Sequence, residues 1–437
     1  MKKPPLEVKE FDKITGNKEY KDDSNFCYLE EPAFDELKSF IEEYAASQEN
    51  DDAYDCFKII KKRGPGELVV TKNYVGLIQT KSGYQIQILP KISMGGQDDT
   101  NNRVTKNTFI KMLRYMSDFE NKVISTANLN IDKMNLYEIF INMYIQQVIA
   151  LVKLGLKSNY VSNEDNLSTL RGKLNINKHI IKNIAHKEKF YCNFDEYQIN
   201  RPENKLIKTT LLKLYKITER IENKKSISQL LTSFELVEES KNYDVDFNKA
   251  SIDRSMKDYE LILKWSKVFL QNKSFTTFSG DTISRALLFP MDKLFEGYVA
   301  KNIKKVLSDK NWNVATQDKG YYLFDDPRQF RLRPDIVITR DNGTRIVLDT
   351  KWKSLFNNSS KNYGISQSDM YQMYAYAKKY KTNEVWLLYP LNDEMRNHSQ
   401  ISFESKEPNG NVEALVRLFF VDVTDIQSSL NELKMML

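Results

Sequence analysis

A chain of 437 residues is too long for one small core, so two or three domains are expected. Hydrophobic residues make up 41% and aromatic residues 12% of the sequence, which excludes a disordered chain. The net charge of +6 permits an anionic partner such as nucleic acid without requiring one.

The first region, residues 1–105, is predicted to be strand-rich after one helix, FDELKSFIEEYAA (34–46). The stretches CFKIIKKR, GELVVTKNYVGLIQT and YQIQILPKI carry β-branched and aromatic residues with partial alternation, which is typical of strands. The tripeptide KSG (81–83) predicts a hairpin turn. The polar stretch GGQDDTNN (95–102) predicts a loop and a domain boundary.

The second region, residues 106–279, is predicted to be helical, with apolar residues at three- and four-residue spacing. The pattern runs through TFIKMLRYMSDF, MNLYEIFINMYIQQVIALVKLGL, NKLIKTTLLKLYKITERIENK and MKDYELILKWSKVFLQN. The stretches LRGKLNINKHI and YCNFDEYQINRPEN interrupt these helices.

The third region, residues 280–437, has a different organisation. RALLFPMDKLFEGYVAKNIKKVL predicts a helix that starts near Pro290, and NWNVATQDKGYYLF predicts a strand or hairpin. Two strands follow in RLRPDIVITRDNGTRIVLDTKWK, then the helix SQSDMYQMYAYAKKY, capped by Ser366 or Ser368, and the buried strand EVWLLYP. This order predicts an α/β unit with a mixed sheet.

Charged residues stand inside the two strands of this unit. Asp349 and Lys351 point to the same face because side chains alternate along a strand. If the strand that follows Asp335 pairs with this one through the turn RDNG, both carboxylates meet near one edge of the sheet. Two carboxylates brought together repel unless a cation lies between them, and oxygen ligands favour Mg²⁺, with Mn²⁺ as a substitute. The backbone carbonyl of Thr350 is a further candidate ligand.

Taken alone, Asp349 and Lys351 are better explained by a surface ion pair, because short motifs arise often by chance. The Pro-Asp pair fourteen residues upstream and the flanking helices favour a nuclease site instead. In that interpretation a metal ion polarises a phosphodiester and Lys351 holds the attacking water or the phosphate.

The residues Pro334-Asp335 and Asp349-Thr350-Lys351 resemble the PD-(D/E)xK nuclease superfamily. The resemblance implies that Asp335 and Asp349 bind the catalytic metal and that Lys351 assists water activation. It also implies an accessory acidic ligand at Glu296, in LFEGYVA. Gln372 and Tyr376 form a QxxxY pair similar to that of the RecB-like branch, where these residues support the site or contact DNA. Arg333, beside Pro334, is a second candidate DNA contact.

A wider resemblance covers most of the chain. YVGLIQT with IQILPKI, FIKMLRYM, LRGKLNI, FDEYQINRPENKLIK and LLFPMDKLFEGYVA look like McrC, the nuclease subunit of McrBC modification-dependent restriction systems. The resemblance implies a double-stranded DNA endonuclease that works with a McrB-like AAA+ GTPase hexamer. It also implies that the amino-terminal half docks on this motor and stimulates GTP hydrolysis, while the carboxy-terminal domain cuts DNA.

No GxxxxGK[ST] motif occurs in the sequence, so any nucleotide-driven step is expected to come from a partner. Two alternatives stay open: a stand-alone nuclease in DNA repair or recombination, and a non-catalytic adaptor that activates a partner NTPase. Cys27, Cys56 and Cys192 stand at wide spacings and favour a reduced, cytoplasmic setting. No window approaches eighteen uncharged apolar residues, so no membrane span is expected.

Overall fold

A computed structural model of the chain describes residues 5–46, 56–80, 82–92, 102–115, 136–251, 256–271 and 285–437. The chain divides into two compact units. Unit 1 draws on Met1–Lys122, Asn128–Lys133 and Thr276–Leu437, and unit 2 on Val123–Ala127 and Met134–Phe275. The first and last regions of the sequence therefore share unit 1. The division at residues 105 and 279 stays a prediction.

Groups of strands are followed by groups of helices along the chain, as in a mixed α+β protein. In chain order the described strands are β1 (Leu6–Lys9), β2 (Lys13–Thr15), β3 (Cys27–Tyr28), β4 (Phe57–Lys62), β5 (Gly66–Thr71), β6 (Tyr74–Gln79), β7 (Gln85–Leu89), β8 (Asn159–Leu167), β9 (Lys173–Leu174), β10 (Phe190–Gln198), β11 (Arg285–Pro290), β12 (Asn313–Thr316), β13 (Tyr322–Asp325), β14 (Arg328–Arg331), β15 (Ile336–Thr339), β16 (Arg345–Thr350), β17 (Glu384–Pro390), β18 (Ser402–Lys406) and β19 (Val412–Val421). The α-helices are α1 (Glu31–Ala46), α2 (Arg103–Leu113), α3 (Leu136–Leu154), α4 (Ile176–Lys182), α5 (Pro202–Ile217), α6 (Ile221–Ser233), α7 (Tyr243–Lys249), α8 (Lys257–Gln271), α9 (Met291–Val306), α10 (Gln367–Tyr380) and α11 (Ile426–Met436).

The amino-terminal part of unit 1 holds two four-stranded sheets, in the orders β3-β2-β5-β4 and β1-β7-β6-β11. The predicted helix, the strands and the hairpin between β6 and β7 are confirmed. Lys81 of the predicted turn, and residues 95–101 of the predicted loop, lie outside the described residues. Apolar side chains from both sheets and α1, among them Val8, Leu37 and Ile78, form a buried core.

The stretch RALLFP joins this amino-terminal sheet. It is the strand β11, antiparallel to β6, so only the part after Pro290 is the predicted helix. The close approach depends on Gly76, where a Cβ would lie 1.9 Å from the carbonyl oxygen of Leu287. Sequence periodicity cannot distinguish a short apolar strand from a helix start, and the strand forms because β6 offers a partner edge.

The first helix predicted in the second region, α2, belongs to unit 1. Unit 2 contains the later predicted helices and, in addition, the three-stranded sheet β8-β10-β9. Its helical core is aromatic: the ring of Trp265 packs against Phe140 and Phe269 at 5.8 and 5.5 Å. The hydroxyl groups of Tyr144 and Ser266 hydrogen-bond at 2.9 Å, which satisfies two buried polar groups. The strands β9 and β10 fall in the two stretches that interrupt the helical pattern of the sequence.

The carboxy-terminal part of unit 1 is built on a six-stranded mixed sheet, in the order β12-β15-β16-β17-β19-β18. Strand β16 is antiparallel to β15 and parallel to β17, and α10 connects the parallel pair. The predicted mixed sheet is therefore confirmed, while its assignment as a PD-(D/E)xK fold stays a prediction. Ser366 caps α10 by accepting a hydrogen bond from the amide of Asp369, as the sequence predicts.

Cys27, Cys56 and Cys192, which all lie in the described ranges, do not form disulfides with one another. Within the described ranges, none of the helices combines the length and the apolarity that crossing a bilayer requires.

Candidate active site at one edge of the mixed sheet

The register of β15 and β16 brings the two aspartates together. Ile336 is paired with Leu348, so the next residues outward are Asp335 and Asp349. Consecutive apolar residues of β15 and β16 are buried, so both faces of these strands are covered, as is typical of strands inside an α/β unit. The carboxylates meet because the two strands pair in this register.

Asp335 is held by Thr350. The backbone amide and the hydroxyl of Thr350 both donate to Oδ2 of Asp335, at 2.7 and 2.6 Å. The sequence predicts a carbonyl ligand at this position, and the structure adds an orienting role for the amide and hydroxyl. Two donors on one oxygen fix the carboxyl group and leave Oδ1 facing Gln317, 3.3 Å from its side-chain nitrogen.

Lys351 lies between Asp349 and Gln372. Its ammonium group is 2.7 Å from Oδ2 of Asp349 and donates to Oε1 of Gln372 at 3.0 Å. Gln372 in turn donates to the hydroxyl of Tyr376 at 2.8 Å. Gln372 and Tyr376, one turn apart on the same face of α10, thus position the lysine: Tyr376 contacts Gln372, and Gln372 contacts Lys351.

Glu296 approaches the two aspartates from α9. Gln317 donates to its carboxylate and also reaches Asp335, so one amide group bridges both carboxyls. Asp292, four residues before Glu296 on the same face of α9, interacts electrostatically with Asp335 and Lys351. Gln317 and Asp292 are not among the site residues predicted from the sequence. The i, i+4 spacing of Asp292 and Glu296 was a usable signal, whereas nothing in ATQDKG marks Gln317.

The carboxyl groups of the site resist ionisation. Burial, followed by the charge of Asp335, raises the pKa of Asp349 to about 7 and that of Glu296 to about 7. Burial also raises the pKa of Asp335 and of Asp292, against the opposing effect of Lys351. Burial disfavours the charge on Lys351, but Asp349 outweighs it and raises the pKa of the ammonium group. The ammonium group of Lys351 acts on all four carboxyls, and Lys293 acts on Glu296 as well.

The donor chemistry fits a hard divalent cation. Oδ2 of Asp349 is buried and lies 2.7 Å from the ammonium group of Lys351. The oxygens of Glu296, Asp335 and Asp349, with the carbonyl of Thr350, are the ligand types that Mg²⁺ and Mn²⁺ prefer. Among the described residues, no three carboxylate, histidine or cysteine side chains already converge as a formed metal site.

The two candidate DNA contacts have different surroundings. Arg333 is exposed, and its backbone hydrogen-bonds the hydroxyl of Tyr376. Tyr376 is only 2% exposed and packs in the core beneath α10. In this arrangement Tyr376 supports Gln372, and its contact with DNA stays a prediction.

Comparisons with known proteins agree with the arrangement of the whole chain. A family model described as the McrBC 5-methylcytosine restriction system component matches residues 69–390. A solved structure, a refined half-complex from a tetradecameric assembly of Thermococcus gammatolerans McrB AAA+ hexamers with bound McrC, has 18% identity and a TM-score of 0.68 over 98% of this chain and 100% of that chain. A cryo-EM structure of the Thermococcus gammatolerans McrBC complex matches with 18% identity and a TM-score of 0.48, over 70% of this chain and 88% of that chain. No curated protein matches.

The mixed α+β fold and the matched family model define a component of a restriction system. The chain belongs to the McrBC 5-methylcytosine restriction system component family.

Proposed function

We propose that this chain is the DNA-cutting subunit of a GTP-dependent restriction complex, with a PD-(D/E)xK-type site in its carboxy-terminal part. The observation that carries the proposal is the meeting of Asp335, Asp349 and Lys351 at one sheet edge, with Glu296 facing them from α9. A surface ion pair does not account for Asp349, which is 2% exposed. Burying a carboxylate costs free energy, so a site in which a bound cation compensates its charge is the better explanation.

Each residue of the site has a distinct role in this proposal. Asp335, Asp349, Glu296 and the carbonyl of Thr350 would hold Mg²⁺, which when bound supplies a Lewis acid for the phosphodiester and lowers the pKa of a nearby water. Thr350 fixes the orientation of Asp335 through its hydroxyl. Lys351, positioned by Gln372, holds the attacking water or a phosphate oxygen and stabilises negative charge that develops during hydrolysis.

The proposed partner is a McrB-like AAA+ GTPase hexamer, and the proposed setting is the cytoplasm. The absence of a P-loop motif from the sequence supports a separate motor. An exposed apolar surface suited to a protein partner occurs in unit 2, within the half of the chain proposed to dock. It includes four isoleucines on and just after α4, Ile176, Ile180, Ile181 and Ile184, each more than 60% exposed, and the cross-strand pair Tyr160 and Tyr197 is exposed to a similar degree elsewhere in the unit.

Plasmid cleavage tests the proposal directly. Methylated and unmethylated plasmid would be incubated with the full-length chain and Mg²⁺, with or without the motor and GTP. The wild type would be compared with Asp349→Asn and with a matched control, Asp341→Asn, whose carboxyl is exposed in the turn between β15 and β16. We expect cleavage that requires motor and GTP, is lost in Asp349→Asn and is normal in Asp341→Asn.

The two alternatives give different results in the same assay. Cleavage without the motor, still lost in Asp349→Asn, would identify a stand-alone nuclease. Stimulation of the motor's GTPase activity with no cleavage under any condition would identify an adaptor. Equal cleavage by wild type and Asp349→Asn would reject the proposed site.

A further inference from the structure

A hairpin leaves the mixed sheet at the candidate site and returns to it. Its two strands, β13 and β14, lie between Gln317 and Asp335. The backbone amide of Gln317 donates to the carbonyl of Asp335 at 2.9 Å, so the chain departs from and re-enters the site at one pair of residues. Residues 323–331 of the hairpin are all exposed. A substrate bound over the carboxylates therefore lies near the base of an exposed hairpin.

The hairpin exposes two aromatic rings. Phe324 is 56% and Phe330 is 69% exposed, and their ring centres are 5.8 Å apart, edge to face. Phe324 is paired with Gln329, so regular alternation would put Phe330 on the other face. The φ of Phe330 is +56°, in the left-handed region that bulky residues avoid. In this conformation the Phe330 ring contacts the Phe324 ring. Strained backbone that exposes an apolar ring is more typical of a binding element than of packing.

The returning strand is basic. Residues 327–334, PRQFRLRP, contain Arg328, Arg331 and Arg333 and no acidic residue, and the three arginines are exposed. On the outgoing strand, Asp325 forms an ion pair with Lys379 of α10 at 2.7 Å, which reduces its effect on the arginines. The guanidinium group of Arg331 stacks on Tyr322 at 4.8 Å, and this stacking fixes it in place.

We propose that the β13-β14 hairpin is a DNA-binding element, in which the arginines contact phosphates and the Phe324–Phe330 pair packs against bases in the minor groove. The proposal rests on DNA being the substrate, as in the proposed function. Arginine charge beside exposed phenylalanine rings is the combination that minor-groove proteins use. Strands of four residues extend about 13 Å, which spans about four base pairs along a duplex.

Binding would be measured by fluorescence anisotropy with a labelled 30-base-pair duplex, in Mg²⁺, using the full chain with Asp349→Asn to prevent cutting. Two double variants would be added: Phe324→Ser with Phe330→Ser, and Arg328→Ala with Arg331→Ala. Both change exposed side chains, so folding should be retained, and circular dichroism would verify this. Matched controls are Phe11→Ser, at a phenylalanine that is 52% exposed, and Arg63→Ala, at an exposed arginine.

Each hairpin variant should raise Kd at least tenfold, and the controls should leave it unchanged. The arginine variant should also lower the slope of log Kd against log salt by about two, one for each phosphate contact, whereas the phenylalanine variant should preserve the slope.

Unchanged Kd in both hairpin variants would overturn the hairpin proposal. The proposed function would still stand if Asp349→Asn had abolished cleavage. A wild type that dimerises through the hairpin, with a phenylalanine variant that is monomeric and binds DNA normally, would also overturn it in favour of contact with a second copy. If the wild type cuts DNA and the arginine variant binds DNA as tightly as its parent, the hairpin proposal is rejected and the proposed active site is not.

Discussion

Trp352 donates its indole N–H to both carboxyl oxygens of Glu10, at 3.0 and 3.1 Å, across 342 residues of sequence. Glu10 directly follows β1, and Trp352 directly follows Lys351 of the candidate site. The Trp352 ring also packs against Phe295, the neighbour of Glu296, at 5.3 Å. One tryptophan therefore connects the amino-terminal sheet to both elements that carry the site.

The stability of the fold should depend on the protonation of Glu10. Burial raises its pKa from 4.5 to about 8, although hydrogen bonds from the amide of Lys91 and from Trp352 lower it. The folded state keeps a proton that the unfolded state releases, so this group's contribution to stability is full below pH 4.5 and falls as pH rises to about 8.

Glu10→Gln should remove that part of the pH dependence. Urea unfolding of wild type and variant at pH 5.5 and 8.5 would measure the effect, and the variant should gain about 3 kcal/mol relative to wild type between these values. Because both proteins contain Asp349 and Glu296, the contributions of these residues to the pH dependence of stability cancel in the comparison. A constant difference between the proteins at both pH values would contradict the prediction.

Thr350→Val should reduce cleavage about tenfold. The substitution preserves the shape and the backbone amide but removes the hydroxyl that donates to Asp335, a hydrogen bond to a charged group of about 1.5 kcal/mol. Thr350→Ser is the matched control, because it retains the hydroxyl. The rate of plasmid cleavage at saturating Mg²⁺ would be compared, and equal rates for the valine and serine variants would show that the hydroxyl is unimportant.

Gln372→Ala should lower the cleavage rate about tenfold, because Gln372 on α10 would no longer hold the ammonium group of Lys351 in position. Gln367→Ala, on the same helix but bonded to Tyr371 away from the lysine, should cut normally. Cleavage assays across the two variants, with thermal unfolding to confirm folding, provide the measurement. A normal rate for Gln372→Ala would assign Lys351 positioning to Asp349 alone.

Gly76→Ala should destabilise unit 1 by about 3 kcal/mol, since its Cβ would overlap the carbonyl of Leu287 and push β11 away from β6. Gly83→Ala also puts an alanine at a positive φ, +89° compared with +140° at Gly76, but it meets no atom within 4 Å, so it should cost only about 1 kcal/mol. Chemical unfolding of the two variants compares an alanine that overlaps the backbone with one that faces open space. Equal losses would show that β11 adjusts without cost.

Local sequence patterns were enough to predict the elements of the site. Short apolar runs on either side of the turn RDNG predicted the adjacent strands beside Asp335 and Asp349, and helical spacing put Gln372 and Tyr376 on one face of α10. These predictions succeed because side-chain direction depends on periods of 2 and 3.6 residues, which neighbouring residues alone establish. The predicted start of a helix near Pro290 is confirmed, whereas RALLFP before it is a short apolar run with no period of its own, and its pairing with β6 as a strand was not predicted.

The contacts between these elements and residues far away in the sequence could be seen only in the folded chain. Gln317 bridges Glu296 and Asp335 because β12 pairs with β15, and β11 is a strand because β6 has a free edge for it. The bond between Glu10 and Trp352 likewise depends on how two sheets pack. Such contacts join residues far apart in sequence, and their choice is set by the burial and hydrogen bonding of the whole chain, which no local pattern encodes.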